Sequence, residues 1–246
     1  MASNVAGSRR LTAPTTTPAG KSLLARLVRR GIAGLLALAV LLFVPAGSLK
    51  FWQGWAFIAA NLAGSLALCI YFYKHDPQLL ERRMLLKEKL SAQKSIMRLG
   101  KFLYFLVLLL PGLDFRLGWT THLTGPLPLW LMLLALASIL AGNVLFFRVM
   151  KTNRFAASII QVEAGQPVIS TGPYRYVRHP MYSGIFLTWL AAPLLLGSIV
   201  ALPAFALLMP IIIFRLLHEE KFLRRELPGY AEYCQRTRWR LVPFVW

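Results

Sequence analysis

The chain has 246 residues, 57% of them hydrophobic and only 15% charged, against about a quarter charged in a soluble domain. Its mean hydropathy is +0.57, and apolar runs near the ~20 residues needed to cross a bilayer recur along it, which excludes a soluble globular protein and sets the class as all-α, polytopic and integral to a membrane. The formal charge of +19 is no sign of nucleic acid, because the 28 Lys and Arg flank apolar segments, where they fix topology and meet anionic headgroups.

Residues 1–20 are rich in Ala, Thr, Ser and Pro, hold no acid, and read as a disordered tail. Arg9, Arg10, Lys21, Arg26, Arg29 and Arg30 give this start the composition of an organelle transit peptide. The simpler reading is a cytosolic tail whose Arg29-Arg30 pair orients the first span. Residues 21–150 then carry N-terminal transmembrane helices. Apolar segments fall at 31–49, 52–73, 102–120, 129–150, 182–198 and 200–217, predicting about six transmembrane helices. The third is the weakest, since Pro111, Asp114 and Arg116 interrupt it.

Six crossings from an inside start leave both termini cytoplasmic. The positive-inside rule agrees, because only Lys50 and Arg116 then face the other side. Between the second and third spans, segment 74–101 alternates charged and apolar residues, as in Leu79-Leu80-Glu81-Arg82-Arg83-Met84. It predicts an amphipathic helix lying on the inner leaflet. Cys69 lies in an apolar run and Cys234 in the polar C-terminal part, so neither a disulfide framework nor a metal site is expected. No internal repeat of the kind transporters carry is visible.

Residues 151–246 hold the chemistry-bearing residues. In Gly172-Pro173-Tyr174-Arg175-Tyr176-Val177-Arg178-His179-Pro180-Met181-Tyr182-Ser183-Gly184, the two prolines push Gly172 and His179 toward extended geometry. Pro180 suits the first position of the helix that enters the membrane. The sequence therefore predicts an exposed helix N-terminus at the membrane surface, suited to a carboxylate or phosphate. His179 and Tyr182, three apart, turn to one side of it. An interfacial belt of Arg and aromatic residues would account for part of the segment, but not for the His-Pro pair.

The second cluster is Arg215-Leu216-Leu217-His218-Glu219-Glu220. Arg215 and Glu219 share a helix face as i and i+4. The acids serve either as counter-charges to a basic surround or as ligand groups, with Glu219 for a cationic or hydroxyl-rich ligand and Arg215 for an anionic one. Only apolar sequence, from Ser183 to Phe214, separates the two clusters. That length enters a membrane and returns, so a C-terminal helical hairpin brings both to one face. The returning helix is expected to run through Leu227 and stop at Pro228-Gly229.

These motifs, with Tyr230-Ala231-Glu232-Tyr233 and the later Pro243-Phe244, resemble the isoprenylcysteine carboxyl methyltransferase family, and the resemblance covers roughly residues 161–246. The wider group includes phospholipid N-methyltransferases. It implies a methyltransferase that binds S-adenosylmethionine in a cytosolic pocket and takes a lipophilic or lipidated acceptor from the bilayer. Residue by residue, the resemblance implies cofactor contacts at Tyr174, His179, Pro180, Met181, Tyr182 and Glu219. It adds Gln161 and the run Gln166, Pro167, Val168 and Ile169, where this loop is shorter than the eukaryotic pattern. Arg215 matches the arginine facing the substrate carboxylate.

A carboxylate or thiolate acceptor arrives ionised and needs no base, whereas an amine must lose a proton, for which His218 and Glu220 are candidates. The acceptor therefore stays open between a prenylcysteine carboxylate, a phospholipid amine and a small thiol. Two readings of other classes stand beside this one: a sterol-type membrane reductase using a nicotinamide cofactor, and a non-enzymatic transporter or scaffold. The expected location is a bacterial inner membrane.

Overall fold

The computed structural model describes residues 19–85, 91–155, 162 and 165–246. Most of the expected tail and Gln161 lie outside these. Among the described residues the chain forms helices and no strand: α1 (Ala19–Ala46), α2 (Trp52–His75), α3 (Pro77–Leu85), α4 (Ser91–Leu117), α5 (Trp119–Thr124), α6 (Leu129–Thr152), α7 (Pro180–Leu195), α8 (Leu202–Ala206), α9 (Met209–Glu226) and α10 (Tyr230–Arg236). A single 3-10 turn, Gly172–Arg175, precedes α7.

Four helical stretches among the described residues are long and apolar enough to cross a membrane: Ser22–Ala46, Trp52–His75, Leu129–Thr152 and Leu202–Glu226, the last joining α8 to α9. The other two expected crossings fall on α4 and α7. Helix α7 is uniformly apolar but has only 16 residues. Helix α4 has 27, with charges at both ends and Pro111 inside.

Segment 74–101 departs from the single surface helix expected of it. Only α3 is such a connector, and residues 91–101 instead form the first turns of α4. The apolar spacing explains this: Ile96, Gly100 and Tyr104 continue one face that points at α7 and α9. Helix α3 is pinned by Leu79 and Leu80, buried against Phe72, Val149 and Met150. Arg26 adds an ion pair to Glu81 at 2.6 Å.

The core joins α1, α2, α4, α6 and α7 through Leu42, Phe57, Leu108, Ile139 and Leu195. Helices α6 and α7 make the most extensive contact. They cross at two glycines, and a Cβ on Gly142 would come within 2.9 Å of the Gly184 carbonyl oxygen. Small residues at such crossings let backbones approach where lipid removes any hydrophobic drive to associate.

Asp114, which weakened the third span in the sequence, is buried at the end of the bundle remote from the two polar clusters. It accepts from the Thr120 N–H at 2.7 Å and from the Thr120 and Ser198 hydroxyls at 2.5 Å. The Thr120 oxygen accepts in turn from the Ile199 N–H at 3.0 Å. Helix α4 is thereby tied to the turn of the α7–α8–α9 hairpin, whose Gly197 takes the left-handed conformation at φ +73°. Helix α9 ends at Glu226, one residue short of the expected end, because Leu227 is extended before Pro228.

Candidate functional site

Pro180 begins α7 as the sequence predicts, but the approach to it differs in two respects. Gly172 adopts φ +58° and is not extended. A Cβ there would meet the Thr152 Oγ1 at 2.8 Å, so the absent side chain lets the 3-10 turn sit against the end of α6. The helix end is also not exposed, since Arg178, His179 and Pro180 are all buried. Residues 237–241 lie across it. The N–H groups of Arg178 and His179 donate to the carbonyls of Trp239 and Arg240 at 2.8 and 3.0 Å. The Ser183 hydroxyl donates to the Leu241 carbonyl at 2.6 Å.

An ion-pair lock holds this arrangement. Glu220, 3% exposed, pairs with Arg178 at 2.6 Å and with Arg240 at 2.8 Å. Arg178 also donates to the carbonyls of Thr237 and Arg238 at 3.1 and 3.0 Å. One acid from α9 thus joins the entry of α7 to the C-terminal segment.

The hairpin does bring the two clusters together. Beside the lock lies an open-mouthed cavity of about 90 Å³. Gln166, Pro167, Val168, Ile169, Tyr174, His179, Pro180, Met181, Tyr182 and Glu219 all line it, joined by Asn153, Phe155, Arg178, Leu223, Leu227, Tyr230 and Tyr233. The aromatic wall is fixed. The Asn153 amide donates to the Tyr174 hydroxyl at 3.0 Å, and the Tyr233 hydroxyl to the Tyr174 carbonyl at 2.7 Å. Burial pushes the Tyr174 phenol up to about 12, so it stays protonated.

Two buried polar atoms on residues lining this cavity, His179 Nε2 and the Tyr230 hydroxyl, have no nitrogen or oxygen hydrogen-bond partner among the described residues. Burial holds the His179 imidazole below its ordinary pKa. Glu219 and Glu220 oppose that shift, while Arg178 and Arg240 reinforce it. The ring is neutral at pH 7.

Arg215 lines a second cavity, of about 190 Å³, between α4, α7 and α9. Its walls are apolar (Ile96, Tyr104, Ile185, Trp189, Leu208, Ile211, Ile212), with Lys101 joining Arg215 as a second cation. Tyr182 belongs to both cavities. Its hydroxyl donates to Glu219 Oε2 at 2.5 Å and accepts from Arg215 Nε at 3.1 Å.

The two candidate bases fare differently from expectation. Glu220 is consumed by the lock, and His218 is exposed, packed on Phe214 and outside both cavities. Sequence reasoning also passed over Asn153, Tyr230 and Tyr233 as lining residues. Only the Tyr230–Tyr233 spacing of one helical turn offered a signal for the last two.

Residues 130–228 match the sequence profile of a family described as phospholipid methyltransferase. That stretch includes the motifs at 172–184 and 215–220. No curated protein matches the chain. Among solved structures it is similar to the eukaryotic intramembrane Ras methyltransferase, isoprenylcysteine carboxyl methyltransferase. The two share 14% identity and a TM-score of 0.49 over 93% of this chain and 98% of that one.

Proposed function

We propose, for a chain whose residues 130–228 match the phospholipid methyltransferase family model, that the cavity at His179 and Glu219 binds S-adenosylmethionine and that the protein methylates a lipophilic acceptor drawn from the bilayer. The observation that carries this reading is His179 Nε2, buried without a hydrogen-bond partner among the described residues, on a residue lining the same cavity as the Tyr182–Glu219 pair. A buried polar atom left unpaired calls for a ligand. The interior is smaller than the roughly 300 Å³ of pockets that enclose a whole ligand. It takes the polar part of the donor, and the remainder reaches through the mouth.

When bound, S-adenosylmethionine supplies a methyl group on a positively charged sulfur. The chain's own residues supply position and dryness, which carry most of the acceleration in such a displacement. Glu219, fixed by Tyr182, serves the cationic or hydroxyl groups of the donor. Arg215, in the apolar second cavity, orients an anionic acceptor head by parallel hydrogen bonds. Tyr182 forms the common wall.

Because Glu220 is locked and His218 faces away, an acceptor that arrives ionised fits better than an amine. This favours a carboxylate, as in isoprenylcysteine carboxyl O-methylation, or a small thiolate, over a phospholipid amine. The polar end of the bundle would face the cytosol, where the donor is made. Calorimetric titration of the detergent-solubilised protein with S-adenosylmethionine tests the site. His179→Ala and Glu219→Ala should each weaken binding by about 1–3 kcal/mol, and unchanged affinity in both would overturn it.

A further inference from the structure

We infer that Tyr230 is a donor-binding residue whose hydroxyl hydrogen-bonds the amino-acid carboxylate of S-adenosylmethionine, an inference that rests on the donor site proposed above. Tyr230 begins α10, just after Gly229 reverses the chain in the left-handed conformation at φ +81°. It is only 4% exposed, and among the described residues its hydroxyl has no nitrogen or oxygen hydrogen-bond partner. The ring belongs to the cluster of Leu227, Tyr233 and Cys234, so packing fixes its direction. The Cys234 thiol, one turn on, hydrogen-bonds the Tyr230 hydroxyl, and a thiol is a weak hydrogen-bonding group.

Leaving a buried hydroxyl unpaired costs the full desolvation of that group. Here a second buried polar atom, His179 Nε2, is unpaired among the described residues, on a residue that lines the same cavity. Two such atoms on one cavity mark a ligand that completes them.

Charge selects which part of the donor they meet. Arg178 is the cationic side chain among the described residues lining the cavity, and Glu220 already pairs with it at 2.6 Å. Glu219 is the acid of the same wall. A sulfonium and an ammonium suit such a wall, whereas a carboxylate needs neutral donors turned toward it. His179 is neutral, and burial holds the Tyr230 phenol far above its ordinary range, so the hydroxyl keeps its proton to donate.

The test is Tyr230→Phe in the full chain in detergent, read by calorimetry and by thermal unfolding. Affinity for S-adenosylmethionine should fall about 10- to 100-fold, the loss of one hydrogen bond to a charged group. Affinity for methylthioadenosine, which lacks the amino-acid part, should not change. Without any donor, the variant should unfold close to the wild-type temperature, because among the described residues only the weakly bonding Cys234 thiol loses a partner. A lowered unfolding temperature with unchanged affinity would make Tyr230 merely structural and overturn the inference. An equal affinity loss for both ligands would overturn the carboxylate assignment. Failure of the wild-type protein to bind S-adenosylmethionine would instead be failure of the donor site itself.

Discussion

The hydroxyl of Tyr182 lies 2.5 Å from Glu219 Oε2, and Arg215 Nε donates to the same hydroxyl at 3.1 Å. The acid lines one cavity, the arginine another, and the tyrosine both. A single phenol thus couples the position of the residue proposed for the donor to that of the residue proposed for the acceptor.

Tyr182→Phe removes that coupling and keeps the ring. Glu219 loses a buried partner, so donor affinity should fall by about 1–3 kcal/mol, measured by calorimetry. Turnover on any acceptor should fall further, because Arg215 loses its hydrogen bond to the Tyr182 hydroxyl as well. Turnover and donor affinity falling by the same factor would confine Tyr182 to the donor side.

Arg215→Lys keeps the charge but not the planar fork. Most turnover should be lost while affinity for S-adenosylmethionine stays near wild type, since Arg215 lines the second cavity and not the first. Loss of donor binding in step with activity would place Arg215 in the donor pocket.

Glu220→Ala leaves Arg178 buried with only carbonyl partners, and it frees Arg240. Breaking a buried ion pair by removing one partner costs about 3–5 kcal/mol, so thermal unfolding in detergent should move to a clearly lower temperature. Glu232→Ala, an exposed acid on α10, is the comparison and should change little. Equal effects of the two substitutions would show that the lock does not hold the C-terminal segment.

The neutral His179 sets a pH dependence of stability. Its folded pKa is depressed by burial, with Glu219 and Glu220 opposing and Arg178 and Arg240 reinforcing. Below about pH 6.5, the ordinary histidine value, the unfolded chain takes up a proton that the folded chain refuses. Stability must then fall as pH falls through that value. The unfolding temperature should drop between pH 7.5 and 5.5, and His179→Gln should flatten that slope. An identical slope in the variant would show that His179 is not the group responsible.

What the sequence determined by itself is whatever follows from local composition and spacing. Apolar runs and low charge set the helical membrane class. The apolar stretch from Ser183 to Phe214 implied a hairpin, and Tyr182 and Glu219 do meet across it. Pro180 marked the start of α7 because proline suits a first helical position.

Tertiary structure decided what depends on partners far along the chain. Gly172 is left-handed where the end of α6 leaves no room for a side chain, and the expected open helix end vanished under residues 237–241. Glu220 and Glu219 are neighbours in sequence with the same chemistry, yet consecutive helix positions point about 100° apart. One therefore closes an ion-pair lock, and the other faces a cavity. Asp114, a defect in a span when read along the chain, is a fully bonded tie between α4 and the hairpin turn. No periodicity encodes these pairings, because each joins residues whose separation in sequence carries no information about their separation in space.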